Sequence, residues 1–226
     1  TVILGGYFSW RDAQSRALSM QRVVQEVQRE HEERLSVELE SAASFLEFTR
    51  KRTEDILKKS LRDQVDTAHL LVQAIYDQES PKRSKAEVQR LIIEALRPAR
   101  FYDGRGYFFI DTMQGQFVLL PTAPHLEGST KPDNRDDQGH FIMRGLIDAA
   151  RAPTGEGYSR YRWYMPDNPK VMADKLAYVR HFAPYDWLIG TGDYTYKWEQ
   201  VQKQEVLTRL RELKFGSGGY VGVING

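Results

Sequence analysis

The sequence predicts an α+β fold, in which a long N-terminal helix packs on an antiparallel sheet of about five strands and a C-terminal helix follows. Three observations predict it. Residues 7–80 contain neither Gly nor Pro, and the first 100 residues hold only two of the 17 Gly and two of the nine Pro. Apolar residues through that stretch recur every three or four positions, which is the helical period. The later residues carry most of the Gly, Pro and aromatic side chains, and their apolar runs are short and bounded by turn residues, as strands are.

Residues 2–10, VILGGYFSW, are apolar. A bilayer span needs about 20 such residues, so this run is either the end of a membrane segment, with Tyr7, Phe8 and Trp10 at the interface, or a packed terminus. Residues 11–80 form the helical stalk. Its stripe runs through Leu35, Leu39, Ala43 and Leu46, then Ile56, Leu57, Leu61, Val65, Ala68, Leu71 and Ile75. A helix of that length would reach roughly 100 Å, which leads us to expect a break near 58–64 or a partner helix. Ser80-Pro81 ends it, because the residue before Pro avoids the α region. A second helix is predicted at about 84–97, with Val88, Leu91, Ile92 and Leu96 on one side.

Strands follow. Gly106–Asp111 is an aromatic run, Met113-Gln-Gly115 is a turn, and Gln116–Pro121 is the hairpin partner. Phe141, Ile142, Leu146, Ile147 and Ala150 mark a helix at 140–151. Gly157–Met165 alternates, Asp167-Asn168-Pro169 is a turn, and Lys175–Phe182 and Trp187–Gly192 are two more strands. The final helix is predicted at about 196–213. Short connections imply antiparallel pairing, and one face of such a sheet must be covered, for which the long helix is at hand.

Four pieces of the sequence carry a family likeness. They are Gly106-Tyr-Phe-Phe-Ile-Asp111; Pro121-Thr-Ala-Pro-His-Leu-Glu-Gly128; Tyr161-Arg-Trp163 with Lys175-Leu-Ala-Tyr-Val-Arg-His-Phe182; and Pro184-Tyr-Asp-Trp-Leu-Ile-Gly-Thr-Gly-Asp-Tyr194. Asp137-Gln-Gly139 fits between the second and third. In this order the stretch 101–194 resembles the Cache domain, the PAS-like extracytoplasmic sensor of bacterial receptors. It departs from the family pattern at Leu120-Pro121, where many relatives have His-Pro, and at Asp193, where many have an apolar residue. The resemblance implies a sensor module at 81–195 on a helix that leads from the membrane. Phe215-Gly-Ser-Gly-Gly-Tyr220 echoes Phe101–Tyr107, so 196–226 is expected to hold a helix and the start of a second module, as in a double Cache receptor.

Alternation along strands sorts the candidate ligand-binding side chains. Tyr161 and Trp163 share one face and Arg160 and Arg162 the other, and the aromatic face is expected inward. Tyr107 and Phe109 share a face, with Arg105 in the turn before them. Lys175 and Tyr178 fall on opposite faces, so aiming both inward needs a bulge after Asp174 or Lys175 reaching from the rim. The resemblance implies organic acids, amino acids or amines as ligands. A buried carboxylate requires a cation, and Arg105, Lys175, Tyr107, Tyr161 and Tyr178 supply cations and hydroxyl donors. Asp193 would suit a cationic ligand, or else pairs with Lys or Arg at the surface. Asp103 and Asp111 are expected as turn residues.

The composition narrows the alternatives. The absence of Cys excludes disulfides and thiolate ligands. A net charge of +1 gives no bulk attraction for nucleic acid. The five His show no HExxH spacing, and no GxSxG or Walker motif is present. No catalytic residue, metal or cofactor is therefore expected. The resemblance to the Cache domain implies a periplasmic sensing region of an inner-membrane receptor that binds a small molecule, an organic acid in the first instance. It would form a homodimer through the N-terminal helix and relay along it. The alternative is a ligand-free dimerisation spacer, and a cavity behind Tyr161 and Trp163 separates the two.

Overall fold

The computed structural model describes residues 2–166 and 168–212, with side chains described at 16, 18–166, 168–200, 203, 204, 207 and 208. Residues 50–208 form one compact unit, and the remaining described residues belong to a second. The elements are α1 (Val2–Glu79), α2 (Lys85–Leu96), β1 (Phe109–Thr112), β2 (Phe117–Leu119), α3 (Ile142–Ala150), β3 (Glu156–Met165), β4 (Asn168–Phe182), β5 (Trp187–Tyr194) and α4 (Thr195–Glu212). The five strands form one antiparallel sheet in the order β2-β1-β5-β4-β3. The segment from β2 through α3 crosses from one edge of the sheet to the other.

Two layers cover the two faces. On one face, Leu57, Leu61 and Val65 of α1 pack on Leu176 and Tyr178 of β4. Beside them Ala68 and Val72 of α1 join Val88, Ile92 and Leu96 of α2 against Ile110, Leu119, Phe182, Trp187 and Ile189. On the other face, Ile142, Met143, Leu146, Ile147 and Ala150 of α3 meet Phe109, Tyr161, Trp163, Ala177, Val179 and Leu188. Helix α2 begins at a capping box, in which the Ser84 hydroxyl accepts from the Glu87 amide and the Glu87 carboxylate accepts from the Ser84 amide.

Two sequence expectations are refined here. Of the two alternatives for the long helix, a break near 58–64 or a partner helix, the structure has no break: α1 runs through 58–64. Its buried positions 57, 61, 65, 68 and 72 fall on one stripe against the sheet, and residues 7–79 contain no Gly or Pro to interrupt the backbone. Ile56 and Leu71, expected on that stripe, are exposed because the sheet contacts a narrower arc of the helix. The turn expected at 167–169 is shorter, since β4 begins at Asn168, which pairs with Met165; Asp167 lies outside the described residues. So does the echo at 215–220.

In the unit that contains residues 18–49, Leu18, Val23, Val27, Leu35, Leu39 and Leu46 of α1 are exposed. Among the described residues no helix is long and apolar enough to cross a membrane. The side chains of 2–10 lie outside the described set.

Helix α1 is expected to supply much of the stability of the larger unit. Leu61→Ala, at a fully buried site, should lower the unfolding free energy by about 2–5 kcal/mol in urea titration. Leu70→Ala, at an exposed site on the same helix, should change it by less than about 0.5 kcal/mol.

Candidate functional site

Between the sheet and α3 lies a hollow of about 20 Å³, lined by Tyr107, Phe109, Asp111, Phe117, Leu120, Ile142, Met143, Leu146, Tyr161 and Trp163. That is room for about one water. Strand pleating creates the lining: Phe109 and Asp111 point the same way from β1, as do Tyr161 and Trp163 from β3. The rings of Tyr161 and Trp163 meet edge-to-face at 6.5 Å.

Lys175 stands at the margin of this hollow. It is 2% exposed, and its Nζ donates to the Tyr107 hydroxyl at 2.9 Å. The same ammonium lies 4.3 Å from the centroid of the Tyr107 ring and 5.3 Å from that of Tyr194. Among the described residues it has no carboxylate partner within salt-bridge distance. The β4 register is regular through this point, so no bulge follows Asp174, and Lys175 shares a face with Ala177 and Val179. Two glycines of β5 make the space. A Cβ on Gly192 would stand 2.8 Å from Lys175 Cε and 2.7 Å from the Leu176 carbonyl oxygen, and one on Gly190 2.5 Å from the Phe109 ring.

Asp111 is the residue that the sequence reading placed in a turn, and the structure corrects it. It lies within β1, 2% exposed, and its Oδ1 has no hydrogen-bond partner among the described residues. Burial alone pushes its carboxyl well above the ordinary range. The signal was present in the sequence, because Asp111 has the same parity as Tyr107 and Phe109 on an otherwise apolar strand. Asp103, with φ of +55°, does belong to a turn.

A second buried carboxylate fixes the loop before α3. Asp136 accepts from the backbone amides of Gln138, His140 and Arg162 at 2.9–3.0 Å. Burial pushes this carboxyl up, but those three amides and the His140 side chain outweigh it and hold it below its ordinary range. Its neighbour Asp137 pairs instead with Arg162 at 2.7 Å. Glu127 steadies the loop after β2 in a related way. It accepts both nitrogens of the Arg97 fork at 2.8 and 3.0 Å and the Leu120 amide at 2.8 Å.

Of the sequence-predicted site residues, the structure brings Tyr107, Phe109, Tyr161 and Trp163 around the hollow, with Lys175 beside Tyr107. It places the other three elsewhere. Tyr178 packs on the α1 face with Leu57, Leu61 and Val65, its ring 4.7 Å from that of Tyr158. Alternation puts it there, two residues of β4 away from Leu176 on the same face. Asp193 was expected at the surface if paired, but its side chain is fully buried, accepting from Trp198 Nε1 at 2.9 Å and pairing with Arg105 Nη2 at 3.3 Å. Arg105 is thereby engaged, and it also pairs with Asp103 at 3.3 Å.

Outside the hollow is an open cleft of about 540 Å³ between α1, β3–β4 and the start of α4. Tyr161 lines both spaces, and Lys175 lines the cleft. Many of the cleft's charges are already matched: Glu54 with Lys58 and Arg160, and Arg162 with Asp137 and Asp174. Two buried ionisable side chains lack such a match among the described residues: Lys175, which lines the cleft and reaches Tyr107 of the hollow, and Asp111, which lines the hollow.

Two measurements check this geometry. The folded chain keeps a proton on Asp111 that the unfolded chain releases near pH 4. Stability from this group should therefore fall as pH rises from about 4 towards its raised folded value. Asp111→Asn should remove that slope, so urea unfolding at pH 4 to 8 should show the variant gaining on the parent as pH rises. Gly192→Ala should cost about 1–3 kcal/mol in the same assay, because the Leu176 carbonyl cannot rotate aside as a side chain could.

The sequence pattern of the Cache domain family dCache_2 matches residues 14–226. The sensor histidine kinase MctS of Rhizobium johnstonii is 30% identical over 123 residues, covering 54% of this chain and 25% of the kinase. The methyl-accepting chemotaxis protein McpP of Pseudomonas putida is 29% identical over 111 residues, 49% of this chain and 20% of that protein. A crystal structure of a methyl-accepting chemotaxis protein from Vibrio parahaemolyticus superposes with a TM-score of 0.60 and 29% identity, over 68% of this chain and 98% of that one. The matches thus span a quarter or less of the curated relatives' length. The chain belongs to the dCache_2 family of Cache domains.

Proposed function

We propose that this chain is the periplasmic ligand-sensing region of an inner-membrane bacterial receptor, and that its ligand is a small carboxylic acid. One observation carries the ligand class: Lys175, buried behind the sheet, has the Tyr107 hydroxyl but, among the described residues, no carboxylate to answer its charge. A buried cation without a counter-ion is costly. A ligand carboxylate that accepts from Lys175 Nζ and from the Tyr107 hydroxyl would neutralise it with charge-assisted hydrogen bonds. Phe109, Tyr161 and Trp163 would wall the ligand's carbon chain.

The relatives support the receptor context, since the named ones are a sensor kinase and a chemotaxis protein. Relay follows from the layering. The hollow lies on one face of the sheet, and α1 packs on the other through Leu57, Leu61 and Val65. Since β4 contributes to both faces, a ligand that spreads the hollow would shift Leu176 and Tyr178 against α1. Only a difference in affinity between two such arrangements can drive the response. We assign the exposed apolar residues of α1 between Leu18 and Leu46 to a homodimer contact.

The second reading, a ligand-free dimerisation spacer, is favoured by the small volume of the hollow. Its weakness is the chemistry of the walls. A spacer gains nothing from a buried Lys and a buried Asp, and hydrocarbon at those positions would stabilise the core.

Thermal melting with short monocarboxylates separates the readings. A true ligand at 100 times its Kd should add about 2.7 kcal/mol, or roughly 5–10 °C for a chain of this size. Lys175→Met should abolish the shift while leaving the unliganded chain folded. A melting temperature unmoved by every acid would leave the spacer standing.

A further inference from the structure

We propose that Asp111 reads a hydroxyl on the ligand, remote from its carboxylate, so that the hollow prefers ω-hydroxylated short-chain acids to their plain counterparts. This rests on the carboxylate reading above and specifies the ligand class further.

The argument is one of placement. Asp111 is fully buried, lines the hollow and has an oxygen without a partner among the described residues. Native interiors rarely leave such a group unanswered. Lys175 does not answer it, for the two stand at opposite ends of the sheet. Asp111 pairs with Leu188 on β5, and Lys175 pairs with Tyr194, six residues further on. Six strand residues span about 20 Å of backbone, which the long side chains of Lys175 and Tyr107 shorten. Phe109, opposite Gly190, falls between the two levels, Tyr161 is level with Lys175 on the neighbouring strand, and with Trp163 they line the hollow with rings suited to methylene groups.

The site thus has a cationic end, an apolar middle and a carboxyl end. The carboxyl is held protonated by burial, which selects among ligand groups. A ligand hydroxyl exchanges two neutral hydrogen bonds with it: the acid proton goes to the hydroxyl oxygen, and Oδ1 accepts the hydroxyl hydrogen. A second ligand carboxylate would bring a charge with no cation to meet it. A ligand ammonium would require Asp111 to ionise.

Calorimetric titration of the 226-residue chain tests the assignment, with butanoate, 2-hydroxybutanoate, 4-hydroxybutanoate, 4-aminobutanoate and butanedioate, and with the five-carbon series. The 4- or 5-hydroxy acid should bind at least about tenfold tighter than the plain acid, which is about 1.4 kcal/mol. The 2-hydroxy acid should show no such gain. Asp111→Asn keeps a donor and an acceptor and should keep most of the preference. Asp111→Leu should lose it, so that plain and hydroxylated acids bind this variant alike, with circular dichroism melts confirming that both variants fold. Equal binding of plain and hydroxylated acids, or a preference that survives Asp111→Leu, overturns the Asp111 assignment and leaves the carboxylate reading intact. Preference for the amino acid or the dicarboxylate overturns it too. Failure of every acid to bind brings down the carboxylate reading and this assignment with it.

Discussion

The pleat of β4 is the constraint on which the rest of the structure depends. Lys175, Ala177 and Val179 go to one face, and Leu176 and Tyr178 to the other. A slip of one residue would exchange these sets and put the ammonium against Leu57 and Leu61 of α1. The long pairing of β4 with β3, regular from Glu156 to Tyr164, holds that register. The eight-residue ladder with β5 holds it from the other side. A single ladder thus decides both where the stalk helix docks and where the polar hollow forms.

The two faces obey different energetics. The α1 face is largely aliphatic and aromatic; its buried Asp193 is answered by Arg105 and Trp198, and other charges pair at its rim: Arg180 with Asp66 at 2.8 Å, and Lys58 with Glu54 at 2.7 Å. Such exposed pairs contribute little, and burial of the stripe does the holding. The α3 face accepts buried polar groups that a core optimised for stability alone would exclude. Where those groups serve architecture they are saturated, as with the three amides on Asp136. Where they surround the hollow they are not, as with Lys175 and the Asp111 Oδ1. This contrast, within one small unit, separates scaffold from candidate site.

Much of the architecture was legible in the sequence because period and punctuation are local properties. The absence of Gly and Pro over 7–80 forecast α1, and the alternation at 157–165 forecast β3 and the inward aromatic pair Tyr161 and Trp163. The continuity of α1 through 58–64 was not legible, since the strands that cover Leu57, Leu61 and Val65 lie far along the chain from them. Site residues were harder still. Arg105 and Asp193 looked like ligand groups because their mutual pairing bridges 88 residues. Tyr178 carried a suitable hydroxyl, but its face follows from its parity with Leu176 rather than from its chemistry. Asp111 was passed over because Asp beside Thr and ahead of Gly115 reads as turn chemistry, whereas the ladder with β5 runs on to Thr112.

The hold of Asp136 on three amides has a consequence for how this domain can diversify. One carboxylate measures out the chain from Gln138 to His140 and ties it to Arg162 on β3. An inserted residue there would unseat two of the three bonds at once. Homologues with new chemical tastes are therefore expected to keep this segment at constant length and to vary by replacing side chains on β1, β3 and β4. Length polymorphism is expected at the far tip of the β3–β4 hairpin, past the regular ladder that ends at Tyr164 and Met172.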